Sequence, residues 1–592
     1  MNQKVKFSGQ AMLAGMFLMS GCDGQKSSTP LPQEPESVAL QFVDVTEATG
    51  FIAPYDNGRV QRNYAILESL GGGCAAWDFD GDGLCDVFAP GGGGFTDDKQ
   101  IFGLNSTLNR QVPGNRYLSD KSGPAELRFA EVASLAGCQT SRHYSHGCAV
   151  SDIDNDGFPD LLMTGYGGLQ FFRNLGDGTF EECAMDSGLT DTLWSSSAGW
   201  GDVNGDGLAD LYVAHYANWS FANHPNCPGS GPDGRDVCPP REFDALDDVL
   251  YLNQGNGRFA DATHSSGLVP GGKGLGVILA DLDEDHDLDI YVANDTTPNF
   301  LYRNDGTGTF TEIGLSSGTA LDDRGVPNGS MGTSLADFDG DGRSDIWVTN
   351  FEMETFALYR NLGDCQFQHL SRDSGVNAIG SRFVGFGTVT NDFDQDGDPD
   401  VAVANGHVVY YPPSSSEAQA PVFLENLGAG KFRRQIPGPS EGYFQSEHVG
   451  RGMATADFDQ DGRIDVIATH LRSPATLLRN SGAAAQKTLR LHLVGATSCR
   501  DATGTTITLV ADKFRSVRHI YGGGSYLCAS EDDLTWALPP EVNKVEVAVQ
   551  WPGGNKQKFT LSVDPSASVV IRESAAEARI LSLSTEISRI PH

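Results

Sequence analysis

The chain has 592 residues, with 78 Asp and Glu against 41 Lys and Arg, a formal charge of −37. That length exceeds one ordinary hydrophobic core, so two domains or one large repeat array are expected. A surface this acidic argues against nucleic acid as a partner.

From the N-terminus, Lys4 and Lys6 precede an apolar run, Ala11–Met19, and then Ser20-Gly21-Cys22. A charged start, a short apolar core and small residues predict a secretory signal over residues 1–21. The run is too short to span a bilayer as a mature helix. Its end resembles a bacterial lipobox, with Met19 where Leu is more usual. The resemblance implies cleavage before Cys22 and lipidation of its thiol. The mature chain would then be an exported bacterial lipoprotein, on the periplasmic side of the membrane or at the cell surface, touching the membrane through its lipid anchor only. Residues 22–40 are expected to be a tether, polar and carrying Pro30, Pro32 and Pro35.

Beyond the tether a nine-residue pattern, DxDxDGxxD, recurs seven times. Its ligand positions 1, 3, 5 and 9 are Asp78, Asp80, Asp82 and Asp86 in the first copy, and Asp152, Asp154, Asp156 and Asp160 in the second. They are Asp202, Asn204, Asp206 and Asp210 in the third, and Asp281, Asp283, Asp285 and Asp289 in the fourth. The last three copies supply Asp337, Asp339, Asp341 and Asp345, then Asp392, Asp394, Asp396 and Asp400, then Asp457, Asp459, Asp461 and Asp465. Four such side chains can converge on one hard cation, and calcium takes six to eight oxygens from short loops of this kind. Up to seven Ca2+ ions are expected, which would take the formal charge from −37 to −23. An EF-hand needs a bidentate Glu at position 12, where this chain has Ala89, Met163, Val213, Val292, Val348, Val403 and Ala468. The runs after position 9, such as Asp289-Ile-Tyr-Val-Ala and Asp345-Ile-Trp-Val-Thr, are β-branched and aromatic. Each loop therefore joins two strands. Two copies depart from the pattern and are expected to bind more weakly: Asn204 removes a charge, and His286 stands where the turn wants Gly.

A second element interleaves with the loops. It begins at Phe42, Phe129, Phe180, Phe259, Phe310, Phe367 and Phe432, starts as an alternating strand and ends near a turn. Successive loops lie 74, 50, 79, 56, 55 and 65 residues apart, which suits blades of four short strands plus insertions. The fold class is all-β: a seven-bladed β-propeller over residues 41–485, followed by a small β-sandwich over 486–575 and a tail, 576–592. A propeller leaves only short, protected edges, and the Phe42 strand would close the ring beside Thr476–Asn480. Gly73, Gly147, Gly276, Gly332, Gly387 and Gly452 stand five residues before a loop, with Ser197 in the remaining copy. These are read as inner-strand positions where backbones crowd near the axis.

The loops, each followed by a strand and then by segments such as NDTTPNFLYRNDGTGTF (294–310), NFEMETFALYRNLG (350–363) and ANGHVVYYPP (404–413), resemble the FG-GAP repeats of integrin α-subunits. The likeness extends to bacterial relatives of cartilage acidic protein. GATSCRDATGTTITL (495–509), YGGGSYLCASEDDLTWAL (521–538) and VEVAVQWPGG (545–554) resemble the ASPIC/UnbV domain.

Two insertions, 92–127 and 216–247, enlarge the first and third blades, and long loops on a rigid scaffold often carry function. With Cys22 lipidated, ten of the 11 cysteines remain. Cys227/Cys238 and Cys499/Cys528 are the readiest pairs, Cys74/Cys85 and Cys138/Cys148 are plausible, and Cys183 and Cys365 are left over. A five-residue strand carries the chain about 17 Å from each loop to the opposite face. There it reaches His215, Asn294, Asn350, Asn405 and His470, with Asp295, Glu352, His407 and Arg472 beside them. His215, Asn294, Asp295, Asn350, Glu352, Asn405, His407 and His470 are therefore the candidate ligand-binding residues of a polar, His-rich funnel; the other reading of these residues is polar strand ends that satisfy backbone groups. No GxSxG, HExxH or Walker pattern occurs, and no catalytic residue is assigned. The favoured reading is a non-enzymatic, calcium-stabilised, envelope-anchored propeller of the adhesion or scaffold type that binds a protein or glycan. The alternative, implied by the resemblance to UnbV, is an enzyme or accessory protein of secondary-metabolite biosynthesis. Its site would lie on the face opposite the calcium loops, where histidines could hold a transition metal.

Overall fold

Each acidic loop turns one strand back onto the next. In the fourth copy, Gly274–Ala280 pairs with Asp289–Asn294, then Phe300–Asn304, then Phe310–Glu312, all antiparallel. The first two strands are buried along their whole length, which is why they read as continuous apolar runs. The outer strand buries only Phe310, which is why it alternates. The computed structural model describes residues 40–113, 127–439, 442–482, 487–512, 514–563 and 566–581. The leader, Cys22 and nearly all of the tether lie outside those residues, as do 114–126 of the first insertion and 582–592 of the tail.

Among the described residues there are seven units of this kind, the fourth gaining a fifth strand, numbered here as blades by their acidic loop. Blade one is Ala75–Trp77, Asp86–Ala89, Thr107–Gln111 and Phe129–Glu131. Blade seven takes Gly450–Ala456, Asp465–His470 and Thr476–Asn480 from one part of the chain and Phe42–Asp44 from another, with Phe42 opposite Asn480.

One joint recurs at every boundary between blades. The residue at position 2 of each acidic loop gives its backbone carbonyl to a side-chain amide at the end of the next blade's third strand. Asn174 Nδ2 donates to Phe79 O (2.8 Å), Asn253 to Ile153 O (2.9 Å), Asn304 to Val203 O (2.8 Å) and Asn361 to Leu282 O (3.0 Å). Asn426 donates to Phe338 O (3.0 Å) and Asn480 to Phe393 O (2.8 Å). Gln111 Nε2 completes the circle by donating to Phe458 O (2.9 Å), from blade one to blade seven. The same position-2 side chain is buried against the Phe that opens the next outer strand. Ring centroids are 5.8 Å apart for Phe79 and Phe180, 5.4 Å for Phe338 and Phe432, 5.8 Å for Phe393 and Phe42, and 5.9 Å for Phe458 and Phe129. Ile153, Val203 and Leu282 share apolar clusters with Phe259, Phe310 and Phe367.

After the ring the chain forms two facing sheets. One orders Leu534–Leu538, Lys487–Val494, Ser566–Arg572 and Arg579–Leu581; the other orders Phe514–His519, Thr506–Ala511, Lys544–Gln550 and Lys556–Ser562. Alternate residues point inward, so Leu489, Leu491, Ile507, Leu509, Val545, Val547, Val549 and Trp536 make one core.

From this sandwich the segment 521–530 enters the axis of the ring and bonds to all seven blades. Gly522 and Gly523 pair with Leu279 and Ile278 of blade four. Thr333 N of blade five donates to Ser525 O (2.9 Å), and Thr388 N of blade six to Ser525 Oγ (3.3 Å), while Ser525 Oγ donates to Met453 O of blade seven (2.7 Å). Ala76 N of blade one donates to Ala529 O (3.0 Å) and Cys148 N of blade two to Leu527 O (3.1 Å). Leu527 N donates to Ser197 Oγ of blade three (3.2 Å). Three of the axial glycines are thus crowded by this hook as well as by neighbouring inner-strand backbone. A Cβ at Gly73 would lie 2.1 Å from Leu527 O, at Gly147 2.6 Å from Leu527 Cβ, and at Gly452 2.4 Å from Cys528 Sγ. Ser197 breaks the glycine pattern because its hydroxyl is needed as the hook's acceptor.

The hook also corrects the cysteine pairing. It carries Cys528 to blade one, where Sγ lies 3.7 Å from Cys74 Sγ, while Cys499 is buried among Ile153, Phe171 and Trp200. Cys227 and Cys238 are bonded; Cys74, Cys85, Cys138, Cys148, Cys183, Cys365, Cys499 and Cys528 are thiols. Peptide mapping without reductant should therefore recover Cys227–Cys238 and no Cys499–Cys528 species. Gly73→Val should overpack the axis by about 1–3 kcal/mol, read as a lower Tm and faster proteolysis within 521–530. Unchanged protection of that segment would contradict the packing described.

Candidate functional site

Each acidic loop is wound around its first carboxylate. Asp78 Oδ1 accepts the N–H groups of Gly81 (2.9 Å) and Asp82 (3.1 Å), and its Oδ2 accepts that of Gly83 (2.7 Å). The ninth residue ties the loop to its own blade. Asp86 accepts from Phe79 N (3.2 Å) and Gln111 N (2.7 Å), and Asp160, Asp210, Asp289, Asp345 and Asp465 repeat the pair of bonds. Asp400 accepts only from Asn426 N, leaving Oδ2 without a partner.

The winding brings carboxylates together. Oxygens of Asp78, Asp80 and Asp86 lie within 4.8 Å of one another, as do those of Asp152, Asp154 and Asp156, of Asp281, Asp283 and Asp285, and of Asp337, Asp339 and Asp341. Several are buried with no hydrogen-bond donor: Asp80 Oδ1, Asp337 Oδ1, Asp392 Oδ1 and both oxygens of Asp459. Burial, reinforced by neighbouring carboxylates, pushes Asp78 and Asp152 up to about 7, Asp345 to about 8 and Asp86 to about 9. Arginines remove part of the charge: Arg110 lies 2.5 Å from Asp80, Arg360 2.5 Å from Asp339 and Arg500 3.2 Å from Asp152. An oxygen-only set with orphaned buried oxygens and surplus negative charge fits a hard divalent cation.

The two irregular loops have local causes. Asn204 Nδ2 donates to Asp206 Oδ2 (3.1 Å), so the amide removes one charge and bonds a neighbour. His286 adopts φ +80°, which favours glycine, but its carbonyl accepts Gly553 N–H (3.2 Å) and its ring bonds Gln550 Nε2 (2.6 Å). The contact with the sandwich offsets the backbone strain, and no local pattern could have shown it. The sandwich meets other loops too: Asp457 N–H donates to Glu531 Oε2 (3.2 Å), and Asp152 N–H to Asp501 Oδ2 (3.1 Å).

The opposite face differs from the funnel expected there. In five of the seven copies the residue five places beyond the ninth-position Asp turns sideways and bonds the carbonyl at the end of the following loop; Gly91 and Gly165 stand in the other two. His215 Nδ1 reaches Asp247 O (2.7 Å), Asn294 Nδ2 Pro298 O (2.9 Å), Asn350 Nδ2 Thr355 O (2.6 Å), Asn405 Nδ2 Ala420 O (2.9 Å) and His470 Nδ1 Pro474 O (2.9 Å). All five are at most 1% exposed. Polar strand ends here satisfy backbone groups. His215 also bonds Asp191 (2.7 Å); burial resists charge on both, yet the bond raises His215 and lowers Asp191. Asp295 accepts the Tyr216 hydroxyl (2.6 Å), and burial raises it to about 6. Glu352 accepts from Ser415 Oγ (2.9 Å) and lies 3.5 Å from the buried ring of His407. An apolar roof fills the space between: Trp219, Val237 and Phe243 of the 216–247 insertion join Tyr64, Leu67, Trp194, Tyr410 and, from the hook, Tyr526. Beneath it Arg451, fully buried, donates to the carbonyls of Ser69, Gly406, Gly450 and His407 and packs 4.0 Å over Phe386.

The FG-GAP-like repeat family matches residues 152–213, 244–292, 281–348, 337–403 and 392–468, and the ASPIC and UnbV family matches 495–578. This chain is an FG-GAP-like repeat protein with an ASPIC and UnbV domain. It is 25% identical to cartilage acidic protein 1 of Mus musculus over 552 residues, 89% of this chain and 76% of that protein. Against the Xenopus tropicalis protein it is 27% identical over 559 residues, 88% and 74% of the two. Among solved structures, the BP39L lectin of Burkholderia pseudomallei aligns over 70% of this chain and 97% of its own, at 11% identity and TM-score 0.38. An Agrocybe aegerita lectin aligns over 68% and 87%, at 16% identity and TM-score 0.35. The hook is YGGGSYLCAS of the ASPIC and UnbV domain, so this domain supplies the axial core of the FG-GAP-like ring.

Because Asn294 and Asn405 act as caps, Asn294→Ala with Asn405→Ala should strand the Pro298 and Ala420 carbonyls. The cost is about 1–3 kcal/mol per site, seen as a lower Tm in thermal denaturation. A double variant with unaltered Tm would remove the capping role.

Proposed function

We propose that this FG-GAP-like repeat protein is a calcium-stabilised binding propeller, exported and held at the cell envelope by a lipid on Cys22, that presents its outer surfaces to a protein or glycan partner. The observation that carries the reading is the placement of the carboxylate clusters: each loop that gathers negative charge is also the loop whose position-2 residue holds the next blade. Two like charges 4 Å apart repel by about 4 kcal/mol at an effective dielectric near 20. A calcium ion per loop would turn that repulsion into a clasp and fix the joint. Asp and Asn donors of each motif would hold the ion, and its contribution is structural.

The reading of a binding scaffold also draws on the closed axis. The hook fills the centre and the roof covers the side opposite the acidic loops, so the surfaces left for a partner are peripheral. The alternative of chemistry on that side gains no support from His215, His407 and His470, which are buried in strand-end and loop contacts.

Elemental analysis and melting with and without a strong chelator test the reading. The protein should carry calcium, at most seven ions per chain, and each site filled at about a thousand times its Kd adds about 4 kcal/mol. Chelation should lower Tm sharply and abolish capture of the partner from envelope extracts. Metal-free protein with the same Tm would refute it.

A further inference from the structure

On the rim of the roofed face, beside the junction of blades seven and one, an open cleft of about 900 Å³ remains. That volume falls in the range of small-molecule sites. In a chain with formal charge −37, the cleft gathers three arginines, Arg59, Arg62 and Arg472. Glu417 is shared by Arg59 and Arg472, the latter at 2.8 Å, so one carboxylate serves two guanidinium groups. Arg62 is exposed and has no ion-pair partner among the described residues. The Arg59 guanidinium carbon lies over the Tyr410 ring, 3.6 Å from its centroid, a cation–π contact that helps hold the group while its Nη1 bonds Glu417.

The rest of the lining is aromatic and amide-rich. Tyr411, 37% exposed, stands at the mouth, and Asp56 and Asn105 offer short polar side chains, while the buried Asn57 donates to Glu68 O and accepts the Arg59 N–H (3.3 Å). The wall is held before any ligand arrives: Asp236 accepts the N–H groups of Tyr410 (2.9 Å) and Tyr411 (3.0 Å). Arg62 and Tyr64 both sit at positive φ, +53° and +56°, a strain that persists only where surrounding contacts impose it.

Resting on the binding reading above, we propose that this cleft is the ligand site and that it takes a carboxylate-bearing oligosaccharide. A guanidinium fork matches a carboxylate with two parallel bonds. A tyrosine face suits the C–H side of a pyranose ring, and Asn and Asp side chains suit its hydroxyls. A peptide is the poorer fit. The lining residues come from loops and one short turn, with no strand edge to extend, and its exposed apolar side chains are Pro54, Val60 and Pro474.

Calorimetry on the calcium-loaded full chain tests this with tri-galacturonate, its methyl ester and hexaglutamate. Tri-galacturonate should bind and weaken with salt, and the uncharged ester should bind about 10–100-fold more weakly. Arg62→Ala, Arg472→Ala and Tyr411→Ala are exposed changes that should leave Tm unchanged; either arginine variant should weaken tri-galacturonate by about tenfold or more, and the tyrosine variant should weaken acid and ester alike. Absence of tri-galacturonate binding, equal binding of acid and ester, tighter binding of hexaglutamate, or arginine variants that bind as wild type would each overturn the assignment. Partner capture from extracts separates the two proposals: a partner retained by Arg62→Ala/Arg472→Ala keeps the binding scaffold and removes the cleft.

Discussion

The joint at position 2 of the acidic loop is the constraint from which the rest of the ring follows. A propeller blade buries both faces, so its neighbours must stay in register all the way round. Here one residue does this twice, with a carbonyl bonded to the next blade's amide and a side chain packed on the next blade's phenylalanine. The loop that delivers that residue is also the place where several carboxylates meet. Electrostatics and packing are therefore coupled at the same few atoms, seven times over. Any relaxation that spread the carboxylates would pull Phe338 or Phe393 away from its pocket.

The hook answers a different problem. Seven short inner strands converge on an axis where side chains alone would leave either a void or a clash. Small residues clear the space, and one extended segment fills it with backbone, so donors and acceptors on the inner strands gain partners they would otherwise lack. Ser525 shows the economy of this: its backbone and hydroxyl serve blades five, six and seven together. The ASPIC and UnbV domain is thus part of the core of the repeat domain.

What repeats was legible in the sequence, and what is made once was not. The acidic loops, the strands after them, the leading Phe42 strand that closes blade seven and the small axial residues all announce themselves through spacing, because a local requirement recurs in every copy. The joint could also have been found: Asn ends the third strand in six of the seven blades, with Gln111 in the first, yet nothing in one copy says which carbonyl it will meet. The hook, the roof and the tolerance of His286 depend on residues hundreds of positions away, such as Gln550, and have no local signature. The histidines opposite the loops could be read two ways for a related reason, as a ligand funnel or as strand ends that satisfy backbone groups. Polar residues at strand ends look the same whether they face a ligand or cap the loop that follows. Arg472 was noted only as a neighbour, and Arg59, Arg62 and Tyr411 carry no repeat signal at all.

The hook also bears on the order in which the molecule can be completed. Cys74 and Cys528, whose sulfurs nearly touch, are 454 positions apart. The centre of the ring is finished by a stretch that reaches it only after every blade has been made. Contacts of such span are slow to form, so the nascent chain passes through a stage in which the lumen is still hollow and its lining uncovered.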